Sequence, residues 1–169
     1  MTMTSPVQTQ ARGFTMVELI VTLVIVAALA ATAVPVLTGG TGMRDQAWRD
    51  AALSAMRHAR SIATSHRRVV CAAFSASTIT LTMAKRNPST ACDAPLASPD
   101  GKSVFAATSN TSATTVVTVV SGAAYGGAFY FQPDGRITTN FAGTATGQWR
   151  VVMTGAEDIA IDGVTGYAR

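Results

Sequence analysis

The sequence predicts an α+β protein in which a long N-terminal helix, membrane-spanning and then amphipathic, packs on a C-terminal domain of antiparallel β-sheet. Three features predict it: an apolar run near the N-terminus, a following segment with apolar residues at helical spacing, and a remainder in which the apolar period changes to two. The chain has 169 residues, of which 48% are hydrophobic and only 13% charged. This composition indicates one medium domain with a membrane-associated segment besides its core.

The apolar run covers residues 14–37 and contains one charged residue, Glu18. As a helix it would be roughly 35 Å long, which is enough to cross a hydrocarbon core of about 30 Å once. Arg12 is the only charged side chain before the run, and the positive-inside rule therefore keeps the N-terminus in the cytoplasm. The sequence predicts a single-pass protein of the bacterial inner membrane with its C-terminal domain in the periplasm.

An ordinary secretory signal peptide is the alternative, because Ala31-Thr32-Ala33 fits a signal-peptidase cleavage pattern. Cleavage there would release a secreted β-rich domain. Glu18 argues against this alternative, since an ionised acid inside a membrane helix is costly and usually has a function.

Residues 13–18, Gly-Phe-Thr-Met-Val-Glu, resemble the processing site of type IV prepilins and type II secretion pseudopilins. The resemblance implies that prepilin peptidase cuts after Gly13 and that Phe14 becomes the N-methylated first residue of the mature chain. Glu18 would then be its fifth residue, and Pro35 would match the proline at which many pilin helices kink or melt. The implied partners are prepilin peptidase, the inner membrane and other pilins or pseudopilins in a filament.

Physical chemistry suggests a role for Glu18 in such a filament. If these helices bundle in parallel, the carboxylate can pair with the methylated N-terminal amine of a neighbour, and two costly charges are neutralised together. The alternative is an acid that stays hydrated near the membrane interface without a partner.

Glycines at 39, 40 and 42 follow Pro35, so we expect a flexible stretch at residues 38–42. Helical spacing resumes over residues 43–68, with an apolar stripe formed by Trp48, Ala52, Ala55, Met56, Ala59, Ile62 and Ala63. The rest of this helix is rich in arginine. Such a surface could contact phospholipid, nucleic acid or an acidic neighbour, although a solvated face is the commoner explanation.

The β-rich domain is predicted over residues 69–169. Strands are predicted at residues 69–74, 78–83, 115–120, 128–131, 136–139, 149–154 and 158–162. Gln132-Pro133-Asp134-Gly135 has the composition of a hairpin turn. Residues 87–114 are predicted to form a long loop with one short strand around Val104.

The two cysteines, Cys71 and Cys92, lie in the first predicted strand and in the long loop. Because the domain should lie outside the cytoplasm, we expect a disulfide that pins the loop and contributes roughly 3 kcal/mol. Two buried free thiols are the alternative.

A second resemblance, to the GspH/FimT group of minor pilins and pseudopilins, rests on three segments, the last of which is the C-terminus. They are Ala59-Arg60-Ser61-Ile62-Ala63 with Val69-Val70-Cys71, Phe131-Gln132-Pro133-Asp134-Gly135-Arg136, and residues 161–169. Some members of that group bind DNA for uptake through a C-terminal Gly-Arg-x-Arg pattern. Here the end reads Gly166-Tyr167-Ala168-Arg169, so tyrosine replaces the first arginine.

The predicted function is that of a minor pilin or pseudopilin, a structural subunit that enters or primes a type IV pilus or a type II secretion pseudopilus. A pilus-associated DNA-binding subunit for natural transformation is the alternative, with Arg67, Arg68, Arg136 and Arg169 as candidate contacts. Two histidines and two cysteines make a metal site improbable, and no motif for catalysis or a cofactor is present. The predicted segments are a cleaved leader (1–13), a transmembrane assembly helix (14–37), a flexible stretch (38–42), an amphipathic helix (43–68) and a periplasmic domain (69–169).

Overall fold

The computed structural model describes residues 14–38, 41–98, 100, 105–109 and 114–169, with the backbone alone for 32–38 and 41. The described chain is α+β, with helix α1 (Met16–Thr38) and helix α2 (Thr41–His66) followed by strands. It divides into two compact units, residues 1–40 and Thr41–Arg169. The first contains α1, and the second contains α2 and all the described strands.

α1 presents its apolar side chains to the outside. All described side chains from Met16 to Ala31 are exposed, and the large apolar ones range from 50% exposed at Val21 to 85% at Met16. A helix that is apolar all round is stable only in an apolar environment. The apolar surface of α1 therefore requires an apolar environment.

The structure does not confirm the membrane-spanning helix that the sequence predicts over residues 14–37. Within the described residues, none of the helices combines the length and the hydropathy that crossing a membrane requires.

α2 differs from its predicted boundaries at both ends. It begins at Thr41 and includes Gly42, which was assigned to a flexible stretch at residues 38–42, while Thr38 belongs to α1. Residues 39 and 40 lie outside the described residues. The helical segment predicted over residues 43–68 ends at His66.

A Schellman motif ends α2. Arg67 takes a left-handed backbone conformation with φ of 54°, and the N–H of Arg68 donates to the carbonyl oxygen of Ala63 at 3.2 Å. Sequence patterning could not predict this end, because arginine rarely adopts positive φ.

The apolar stripe predicted on α2 forms one side of the core. Its members Trp48, Ala52, Ala55, Met56, Ala59 and Ala63 are buried, and Ile62 is half-buried. Most of these side chains are small, so the helix backbone can approach the strands closely. Leu53 is buried beside them.

Ten strands follow α2 in the described part of the chain: β1 (Val70–Phe74), β2 (Thr78–Met83), β3 (Ala94–Pro95), β4 (Phe105–Thr108), β5 (Thr115–Gly122), β6 (Ala128–Phe131), β7 (Ile137–Thr138), β8 (Gly147–Met153), β9 (Ile159–Asp162) and β10 (Tyr167–Ala168). One sheet has the order β3-β2-β1-β6-β7, with β4 also paired to β2, and the other has the order β10-β9-β8-β5. All the strand pairs are antiparallel.

The seven strands predicted with defined ranges are present as β1, β2 and β5 to β9, with ends shifted by at most two residues. β4 begins at Phe105 and confirms the short strand expected around Val104. β3 and β10 were not predicted, because a two-residue strand has no readable period.

α2 contacts strands of both sheets, namely β1, β2, β4 and β6 of the first and β10 of the second. The sheets also meet directly, since the rings of Phe129 and Trp149 pack edge to face with their centroids 5.3 Å apart. The indole N–H of Trp48 donates to the Thr115 hydroxyl at 2.9 Å, which ties the start of α2 to β5. One core therefore serves α2 and both sheets.

We expect Ala59→Leu to lower the free energy of unfolding of the Thr41–Arg169 unit by about 1–3 kcal/mol. Ala59 is fully buried, so the larger side chain must displace the strands. Urea unfolding measures the effect, with Ser54→Leu on the exposed side of α2 as the control. Equal losses for the two variants would contradict the close packing described here.

Candidate assembly site and basic surface

Thr15 caps the first turn of α1. Its hydroxyl oxygen accepts the backbone N–H of Glu18 at 3.2 Å, and its carbonyl oxygen accepts the N–H of Leu19 at the same distance. Thr-x-x-Glu is the spacing of a capping box. No role was predicted for Thr15, although this spacing is visible in the sequence.

Glu18 and Phe14 lie together at the exposed N-terminal end of α1. Phe14 is 78% exposed, and Glu18 is also exposed. In the described part of the chain no cation forms an ion pair with Glu18. The carboxylate therefore faces outward in the first turn, where the partial positive charge of the helix end favours it.

Two of the predicted site residues have no structural test. Gly13, on the leader side of the predicted cleavage site, lies outside the described residues. The backbone helix of α1 includes Pro35 and continues to Thr38. A kink at Pro35 stays a prediction.

The structure joins Cys71 and Cys92 in a disulfide with a Cα–Cα distance of 6.2 Å. The pair packs against Val69 and Ala84 in a small cluster beside the main core. The bond therefore fixes the start of the long loop to β1.

The loop has further attachments that the sequence analysis did not predict. The Lys85 ammonium lies 3.5 Å from the Asp93 carboxylate, whose other oxygen accepts the Lys85 backbone N–H at 3.0 Å. That backbone hydrogen bond lowers the pKa of Asp93 from its ordinary value. The Asn87 side chain donates to the carbonyl oxygen of Arg67 at 2.8 Å and holds the loop to the end of α2.

The four arginines proposed as DNA contacts lie in different settings. Arg67 and Arg68 form the turn after α2. The Arg136 guanidinium donates a hydrogen bond to the Asp134 carboxylate at 2.7 Å. Arg169 follows β10 and exchanges backbone hydrogen bonds with Ala160. None of the other three arginines lines a described cavity together with Arg169.

Arg169 instead shares a cavity of about 350 Å³ with Arg57 and Arg60. We call these three residues the arginine cluster. Arg57 and Arg60 are one turn apart on α2, a spacing that was visible in the sequence, but their proximity to the C-terminus depends on the fold. Arg57 and Arg169 are exposed.

Arg60 holds the C-terminal segment against α2. It donates to the carbonyl oxygens of Gly135 at 3.3 Å and Thr165 at 3.0 Å, and its guanidinium carbon lies 4.6 Å from the Tyr167 ring centroid. A cation over an aromatic face is stabilised by the ring quadrupole. Tyr167, which replaces an arginine of the resembling pattern, therefore positions an arginine that comes from α2.

The turn before β10 is fixed by Asp162, whose carboxylate accepts the backbone N–H groups of Val164 and Thr165 at 3.0 and 2.9 Å. Gly166 follows with φ of 69°, and a Cβ there would overlap the carbonyl oxygen of Gly135. The N–H of Thr165 is the main cause that lowers the pKa of Asp162. The ionised form of Asp162 therefore stabilises the turn.

We expect Asp162→Asn to flatten the acid dependence of stability. Because its pKa is lowered from 3.8 in the folded state, Asp162 stabilises the fold above pH 3.8, and this contribution is lost as the pH falls through the lowered pKa. Urea midpoints between pH 5 and 2, compared with those of Glu157→Gln as an exposed control, measure it. A decline in the Asp162 variant as steep as in the wild type would contradict this assignment.

Comparison with known proteins gives one match, at the N-terminus. A family model described as the prokaryotic N-terminal methylation motif matches residues 9–34. No curated protein and no solved structure matches the chain. The matched segment includes the predicted cleavage pattern, Glu18 and all the described side chains of α1. The chain carries the prepilin-type signal of type IV pilins and pseudopilins.

Proposed function

We propose that this chain is a minor pilin or pseudopilin of the GspH/FimT kind, which enters or primes a type IV pilus or a type II secretion pseudopilus. The methylation motif at residues 9–34 carries the proposal. The exposed apolar surface of α1 supports it, because a helix bundle inside a filament would bury that surface.

In the proposed assembly, peptidase cleavage after Gly13 leaves a methylated ammonium group on Phe14. That cation sits at the positive end of α1, where it is unfavourable. The Glu18 carboxylate of a neighbouring subunit is a suitable counter-ion, since it is exposed and has no described cation partner. Pairing in the dry filament core would neutralise both charges and fix the axial register of the helices.

Before assembly, we propose that α1 anchors the chain at the bacterial inner membrane, with the Thr41–Arg169 unit in the periplasm. Arg12 before the apolar run supports this orientation. The Cys71–Cys92 disulfide is consistent with it, because such bonds persist in oxidising compartments.

The Glu18→Ala variant should be processed normally but largely excluded from sheared filaments. It loses the proposed counter-ion while the apolar surface of α1 remains. The control is Thr22→Ala, one turn further along α1, because Thr22 is also exposed and its hydroxyl bonds only to the carbonyl oxygen of Leu19 in its own helix. Wild-type incorporation of Glu18→Ala would contradict the proposed pairing.

A DNA-binding subunit is the second candidate, and the arginine cluster is the observation that favours it. Arg57, Arg60 and Arg169 line one cavity, and in the described chain none of the three forms an ion pair with an acidic side chain. Arginine suits phosphate because its planar guanidinium donates two parallel hydrogen bonds. The cluster could compensate for the arginine that is missing at position 167.

If the cluster binds DNA, the affinity should be independent of base sequence. The affinity should also fall steeply between about 50 and 200 mM salt. The binding constant should fall by about one log unit per contacted phosphate for each tenfold rise in salt concentration. Arg57→Ala and Arg169→Ala should each weaken binding in a gel-shift titration and reduce this slope. Arg150→Ala is the control, because Arg150 is paired with Asp158 at 3.2 Å. No shift at low salt would remove this candidate and leave the structural subunit.

A further inference from the structure

β5 (Thr115–Gly122) is an edge strand with an exposed apolar surface. It lies at one end of the four-stranded sheet, and no described strand pairs with its outer side. It contains neither a charged residue nor proline, and Val116, Val119 and Val120 are 55%, 46% and 57% exposed. Natural proteins usually protect such edges with charge, proline or a covering segment, because an open edge pairs with other strands.

The hydrogen-bond pattern shows which backbone groups of β5 point outward. The N–H of Thr154 donates to the carbonyl oxygen of Thr114 at 3.3 Å, which makes these residues a hydrogen-bonded pair of the antiparallel ladder. Hydrogen-bonded pairs recur at every second residue. Val116 and Thr118 therefore bond toward β8, and the residues between them point to the outer edge.

Thr115 is the first of these outward residues, and its N–H already donates to the carbonyl oxygen of Ala76 at 3.0 Å. This bond confirms the direction assigned to the odd-numbered positions. Val117 and Val119 are the next two, and their N–H and C=O groups face away from β8. They form a short template for one more strand.

The sequence around Val117 and Val119 is symmetric. Residues 116–120 read Val-Val-Thr-Val-Val, which is the same in both directions about Thr118. If two copies of β5 pair antiparallel about Thr118, then Val117 of one copy lies opposite Val119 of the other. The outward backbone groups of these two residues have no partner among the described residues, so each such pair can exchange two hydrogen bonds.

We propose that β5 pairs antiparallel with β5 of a second copy of this chain, about a two-fold axis at Thr118, so that the two four-stranded sheets become one continuous sheet. Thr118 then faces its own counterpart, and Val116 faces Val120 across the axis. Cross-strand pairs of threonine and of β-branched residues are favourable. An isologous contact of this kind is the commonest form of homodimer.

Neighbouring charges and the strand irregularity are both compatible with this pairing. Arg150 lies opposite Thr118 on β8, so the two-fold axis would bring the Arg150 side chains of the two copies toward each other. The ion pair of Arg150 with Asp158 at 3.2 Å offsets this repulsion. The register shift in β5 lies between Val119 and Ser121 and therefore includes Val120, but Val117 and Val119, which supply the outward backbone groups, precede it in the regular ladder. The proposal does not depend on filament assembly, which is tested at Glu18.

The test is oxidative cross-linking of the full chain in bacterial membranes. Both native cysteines are bonded to each other, so Thr118→Cys adds the one free thiol of the described chain. At the axis its Cα lies about 4.5 Å from its counterpart, within disulfide range. We expect an added oxidant to produce a band at twice the monomer mass, which thiol reductant abolishes.

Two further variants control this result. Ala160→Cys places an exposed thiol on β9 of the same sheet, away from the axis, and should stay monomeric. Adding Val119→Pro to Thr118→Cys removes an outward N–H and leaves the ladder to β8 intact, so this double variant should not form the dimer. Adding Val119→Thr to Thr118→Cys keeps the N–H and should retain the dimer. A monomeric Thr118→Cys, a product of another mass, or equal dimer from Ala160→Cys would overturn the proposal.

Discussion

The burial of small side chains along one face of α2 is the constraint on which the C-terminal unit depends. Ala52, Ala55, Ala59 and Ala63 are fully buried, and together they leave room for strands of both sheets to approach the helix. Larger residues there would separate the layers and open the core. The positions of the disulfide, the turn at Asp162 and the arginine cluster all follow from where α2 places the strands.

The same packing explains how distant parts of the chain form one surface. Arg60 extends from α2 to two carbonyl groups in different turns and to the ring of Tyr167. Its contacts are possible because Gly166 and Gly135 approach closely, so that a Cβ at Gly166 would overlap the carbonyl oxygen of Gly135. The C-terminal segment is therefore fixed beside α2, and Arg169 is brought to Arg57 by the fold.

Local periodicity predicted much of this fold, because the apolar stripe of α2 and most strands repeat at 3.6 or 2 residues. The disulfide was also predicted, because both cysteines lie in a domain expected outside the cytoplasm. The arginine cluster was missed, as Arg60 and Thr165 are 105 positions apart and only the tertiary fold brings them together. Thr15 was missed for a different reason: its capping spacing lies inside the motif that predicts peptidase processing.

The described side chains of α1 are apolar and exposed around one outward carboxylate, and such a surface needs an apolar environment. The proposed prepilin processing would provide a cation for Glu18, which has no described cation partner, and the proposed assembly would bury the apolar surface. Intact mass spectrometry of the protein purified from its native membrane or filament tests this most directly. We predict a mature chain that begins at Phe14 and carries one added methyl group, whereas a chain that begins at Val34 would contradict the account.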